Sequence, residues 1–139
     1  MASALAAMAL AAAVAGRSCR VSQPGPEAAV RDMLQAAKTG DVDTVFEMLS
    51  PATRTRLEAE ARRATDLVGA SIRYTAKDLV SIGSTDGAAP TDITVLEERG
   101  ERAVVEVVSA AGRARIELVK LDGRWRIDIP GYGAVHPAL

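Results

Sequence analysis

The sequence is short of several things on which common chemistries depend. It has one cysteine, Cys19, so no internal disulfide can form, and one histidine, His136, which excludes a histidine-based metal cluster. Only 3% of its residues are aromatic, too few for a stacking platform that reads bases or sugars. Charge of one sign is not in excess: 17 Lys and Arg against 18 Asp and Glu leave a net charge of −1. Such a balance supplies no electrostatic footprint for nucleic acid or for an anionic membrane surface. Gly-rich phosphate loops, a nucleophile elbow and metal-ligand spacings are missing too, so no cofactor is expected. What remains is 139 residues, 48% hydrophobic and 25% charged, the make-up of one ordinary globular domain.

From Met1 to Gly16 no side chain is charged, and nearly every residue is Ala, Leu, Met or Val. The run is too short to span a bilayer, which takes about 20 residues. It fits the apolar region of a secretory signal, with Ala13-Val14-Ala15 as a small-x-small cleavage pattern. The basic start of such signals is missing, which leaves a start upstream of Met1 or an N-terminal Ala-rich helix as alternatives. Cys19 stands where bacterial lipoproteins carry their acylated cysteine, although Gly16-Arg17-Ser18 departs from the usual Leu-Ala-Gly-like triplet. A lipid anchor at Cys19 and an incidental thiol in a tether are both open readings. The expected organisation is a signal at 1–18, a tether at 19–26, a domain at 27–131 and a tail at 132–139. The expected location is exported: periplasmic, lipid-anchored or secreted. Any membrane contact is expected only through Cys19.

Helical spacing then takes over. Pro26 suits a first helical position, and Val30, Met33, Leu34 and Ala37 form one apolar stripe. Gly40 ends this helix and Asp41 caps the next, in which Val42, Val45, Phe46 and Leu49 share a face. Ser50-Pro51 starts a third helix, with Leu57, Ala61, Ala64 and Val68 inward and a Glu58–Arg62 pair outside. Its arginines are interleaved with Glu58, Glu60 and Asp66, which reads as a solvated face. Leu79, Val80 and Ile82 are expected to form a short strand.

Beyond Pro90 the period switches to two. Strands are expected near 92–98, 102–108, 113–120 and 124–129, with Asp122-Gly123 as the strongest hairpin signal. Pairing Leu121 with Arg124 and Val108 with Arg113 gives one face that is apolar across three strands. It holds Ala103, Val105, Val107, Ala114, Ile116, Leu118, Trp125, Ile127 and Ile129, and the helices must cover it. On the opposite face Val104, Val108, Val119 and Leu121 form a second apolar patch, joined by Leu96 if Glu98 pairs with Arg102. One reading makes it a homodimer or edge contact; the other covers it with the tail Tyr132–Leu139.

Two stretches, Ala36-Ala37-Lys38-Thr39-Gly40-Asp41-Val42-Asp43 and Lys120-Leu121-Asp122-Gly123-Arg124-Trp125-Arg126-Ile127, resemble the nuclear transport factor 2-like superfamily, small bacterial lipoproteins included. The resemblance runs from about Glu27 to Ile129. It implies an α+β cone of three N-terminal helices on a curved antiparallel meander, whose open end can hold a ligand or an active site. The superfamily hosts enzymes, binding proteins and dimerisation modules alike.

Its isomerase- and dehydratase-like enzymes place a base in the cone. Here every inward strand position is apolar or small except Lys120, while Asp128, Glu117 and Glu106 point outward. Asp66 and Asp92 are the rim carboxylates left for a small isomerase- or hydratase-like enzyme, the alternative reading. Met33, Phe46, Met48, Tyr74 and Trp125 are candidate pocket-lining residues, or plain core. Lys120 is placed to cap Trp125 by a cation–π contact. The preferred reading is a non-enzymatic envelope protein that binds a small molecule or associates with a partner.

Overall fold

The structure is a computed structural model that describes residues 24–69, 71–83 and 88–130. Four helices precede a four-stranded sheet. They are α1 (Pro26–Thr39), α2 (Val42–Met48), α3 (Pro51–Leu67) and α4 (Ala76–Gly83), followed by β1 (Pro90–Arg99), β2 (Arg102–Ser109), β3 (Gly112–Leu121) and β4 (Arg124–Asp128). The sheet is antiparallel in the order β1-β2-β3-β4. This is the α+β arrangement, helices and then a meander, that the superfamily resemblance implies. Among the described residues no helix is long and apolar enough to cross a membrane. The stretch expected to be a signal, Cys19 and the tail with His136 lie outside the described residues.

Local chemistry sets the helix ends. Pro26 opens α1, and Gly40, at φ 74°, closes it while the Asp41 N–H donates to the Ala36 carbonyl. Asp41 then caps α2 by accepting from the Thr44 N–H at 3.1 Å. Ser50 caps α3 by accepting from the Thr53 N–H at 3.1 Å. Where a strand is expected at Leu79, Val80 and Ile82, the chain instead forms α4. Thr75 and Asp78 make a reciprocal cap: each backbone N–H bonds the other's side chain. Ala76, Leu79 and Val80 then fall at i, i+3 and i+4 and meet the core.

In α3 the expected inward face holds only as far as the helix touches the sheet. Leu57 and Ala61 are buried and Ala64 is half-buried, but Val68 is exposed, because the helix has ended at Leu67. The Glu58–Arg62 ion pair does not form either. Arg62 Nε donates to the Glu58 carbonyl, while Arg63 pairs with Glu60 at 2.7 Å.

The β2–β3–β4 register is the expected one, with Val105 opposite Ile116, Leu118 opposite Ile127 and Leu121 opposite Arg124. Asp122 and Gly123 both take positive φ, 50° and 75°, as a two-residue hairpin turn requires. The ladder stops at Glu117–Asp128, so Ile129 does not face Ile116. Its N–H donates instead to Thr53 Oγ1 at 2.8 Å, which turns the chain out of the sheet. β1 departs from expectation near its turn. Arg99 pairs with Arg102 and Glu98 with Ala103, because the loop is the two residues Gly100-Glu101. Leu96 is then the extra residue of a bulge, after which Val95 opposite Val105 restores the anticipated pairing.

Candidate functional site

The inner face of the sheet is largely filled by its own side chains. Leu118 and Ile127 are 1% exposed, Trp125 is 8% exposed, and Val105 and Ala103 are buried with them. Val30 of α1, Leu49, Leu57 of α3 and Ala76 of α4 complete this cluster. Ala114 and Ile129, expected on the same face, are exposed. At the tight hairpin Lys120 stands opposite Trp125 with its ammonium 5.6 Å from the ring centre, the anticipated cation–π contact.

The β4 margin is sealed by polar groups at the start of α3. Leu49 bridges Ile127, and the Ser50 N–H donates to the Ile127 carbonyl at 2.7 Å. Asp128, whose side chain is 13% exposed, accepts from Ser50 Oγ at 2.7 Å and from Thr53 Oγ1 at 3.3 Å. Arg56 Nη2 approaches the same oxygen at 3.4 Å, while its buried Nε finds no acceptor among the described residues. Ser50 and Thr53 are themselves buried. The carboxylate therefore ties a helix cap to the sheet edge. It is a joint rather than an exposed acid.

A wider recess lies at the other end of the sheet. A recess of about 460 Å³ is walled by Leu34 and Ala37 of α1, Val42 and Val45 of α2, and Ala88 to Pro90 at the start of β1. Lys38 and Ser81 supply its polar side chains. A mostly aliphatic wall with one cation suits a small apolar molecule bearing an anionic group. Sequence reading missed this recess, since its walls come from four separate elements. The Gly40 cap was the visible signal, for it turns α1 into α2 at the recess floor.

The five candidate pocket residues do not share a cavity. Trp125 belongs to the buried core, and Phe46 leans against it with Arg54 and Lys77 5.4 and 5.8 Å from its ring centre. Met48 is half-buried in the last turn of α2. Met33 lines a small recess with Ile116 and Ile129, and Tyr74 lines another beside Ala61 and Arg62. Asp66 lies in the last turn of α3 and Asp92 near the start of β1, where it accepts from Thr94 Oγ1 at 2.8 Å. Both are exposed, and no hydrogen bond or ion pair among the described residues joins them.

On the outer face the register divides the expected association patch. Val104 faces Glu117, and Val119 lies between Arg102 and Arg126, with Leu121 further along the same strand. Val108 is cut off from Val104 by Glu106, which pairs with Arg113 at 3.2 Å. Leu96 and Leu121 are its exposed members.

Fold and recess together define an α+β domain with a packed core and an apolar pocket between α1, α2 and the start of β1. No family model matches the chain, and no curated protein matches it. Among solved structures it is similar to a Campylobacter jejuni protein designated an NTF2-like transpeptidase. The two are 14% identical with a TM-score of 0.45, over 76% of this chain and 99% of that one.

Proposed function

We propose that this chain is a non-enzymatic bacterial envelope protein, exported or tethered through Cys19, that binds a small amphipathic anion in the recess between α1, α2 and β1. The observation that carries the reading is the division of space. Side chains occupy much of the sheet's inner face, and the recess between α1, α2 and β1 is aliphatic with Lys38 as its cation. Such a surface binds by apolar burial, and the ammonium fixes the orientation of the ligand. Export rests on the uncharged Met1–Gly16 run and on the position of Cys19.

Titration with 1-anilinonaphthalene-8-sulfonate, an apolar sulfonate, tests the pocket. Saturable binding is expected, weakened about tenfold by Lys38→Glu and competed for by filling the cavity with Ala37→Leu. Binding indifferent to both substitutions removes the pocket from the argument. The mass of the mature chain after fractionation tests export and acylation. The reading includes self-association through the outer face, where Leu96 and Leu121 are exposed; light scattering on Leu121→Glu beside the unaltered chain checks it.

A further inference from the structure

We propose that Arg54 of α3 and Arg126 of β4 form an anion site that takes a phosphate group, at the corner where the end of α2 meets the sheet edge. The backbone builds this corner. α2 ends at Met48 and Leu49 bridges Ile127, so the last carbonyls of α2 lie between the start of α3 and the edge strand β4. Carbonyls at a helix end have no partner within the helix and attract cations. Arg54 donates through Nε to the Leu49 carbonyl at 3.2 Å and through Nη2 to the Glu47 carbonyl. Arg126 Nη1 donates to that same Glu47 oxygen. Two guanidinium groups from separate elements are thus held against one acceptor.

Their charge is not cancelled. The shared acceptor is neutral, and neither arginine enters an ion pair among the described residues. Both residues are half-buried, so water screens their mutual repulsion only in part. Lys77, which shares the Phe46 ring with Arg54, is neutralised by Asp43. Asp128, next on the face of β4 that carries Arg126, is taken up by Ser50 and Thr53. The acid left at the corner is Glu47, which is exposed, and one carboxylate against two cations leaves a surplus. The donors select the ligand. Each guanidinium carries five N–H donors, and the carbonyls take only two from Arg54 and one from Arg126. A carboxylate, singly charged and with two oxygens, satisfies one fork. A phosphate monoester carries a charge of about −1.5 to −2 and three oxygens that accept strongly, so one group bridges both forks. The corner is separate from the recess, whose cation is Lys38 of α1.

The test titrates the full chain with inorganic phosphate, glycerol phosphate and acetate by calorimetry, at an ionic strength fixed with sodium chloride. Both phosphates should bind at one site, and acetate should not. Equal affinity for the two makes a free phosphate ion the occupant; tighter glycerol phosphate makes it a phosphate carried on a larger molecule. Arg54→Gln and Arg126→Gln should each weaken binding about tenfold. Glu47→Gln keeps both arginines and removes the opposing charge, and should strengthen binding about threefold. Because the arginines also hold the end of α2, Arg126→Lys is the milder comparison: it keeps the charge, loses the fork and should still weaken binding, with far-ultraviolet circular dichroism confirming the fold. Lys38→Glu, in the recess, should change nothing. Binding lost in Lys38→Glu overturns the proposal, because the phosphate is then in the recess. It is overturned as well if neither phosphate binds, if acetate binds as tightly, or if folded arginine variants bind as the unaltered chain does.

Discussion

At the β3–β4 end of the sheet Leu118, Trp125 and Ile127 are buried, and the start of α3 is bonded directly to the strand edge. At the end where β1 starts and β2 finishes, the same face carries exposed Ala114 and half-buried Ile93, and a recess stands open beside it. One sheet therefore supports two kinds of surface. The difference follows from where the helices touch: α3 joins β4 through its cap, whereas α1 and α2 meet the start of β1 across a gap lined by Leu34, Val42 and Val45. Burial concentrates stability at the closed end and leaves the open end free to bind.

The contrast is tested most severely by truncating one residue at each end. Leu118→Ala removes a side chain that is almost wholly enclosed, and should cost about 3 kcal/mol. Ile93→Ala, at the half-covered end, should cost about 1 kcal/mol, since part of its surface already meets water. Urea unfolding gives both values. Equal losses would mean that the open end is as tightly packed as the closed one.

A smaller effect isolates the polar joint. Thr53→Val keeps the shape but deprives the Ile129 N–H of its acceptor and Asp128 of a donor, a loss of about 2 kcal/mol. Thr53→Ser should recover most of it, because the hydroxyl is restored. If valine and serine behave alike in the same unfolding measurement, the hydroxyl is not what ties α3 to β4.

The closed end was also the more legible one. Its strands alternate cleanly, and Asp122-Gly123 permits one tight turn, which determines the pairing of Leu118 with Ile127. At β1 the alternation of Val95, Leu96 and Glu97 conceals the bulge, and the two-residue loop at Gly100 shifts the first pairs by one. Leu79-Val80-x-Ile82 is short enough to satisfy either period; Thr75-x-x-Asp78 was the signal that decides for a helix. The recess was not legible, because proximity among Lys38, Val45, Ser81 and Pro90 is a property of packing rather than of spacing.

The mildest test returns to the open end, whose α2 and α4 both start from exposed carboxylate caps. The Asp41 carboxyl is held below its ordinary pKa by hydrogen bonds from the Thr44 hydroxyl and N–H. Asp78 is lowered in the same way by the Thr75 hydroxyl and N–H. A folded-state pKa below the unfolded one means that the ionised caps stabilise the protein above the ordinary carboxylate range, and that this contribution is lost as pH falls through the folded-state pKa values. The window is acidic, beneath about pH 4. Asp41→Asn with Asp78→Asn should therefore lower the urea midpoint slightly at neutral pH, and the gap from the unaltered chain should narrow once the pH is taken below about 4. The loss should also reach the recess, because Val42 and Val45 in its wall follow the Asp41 cap directly. A gap of the same size at both pH values would show that charge on these caps does not hold the open end together.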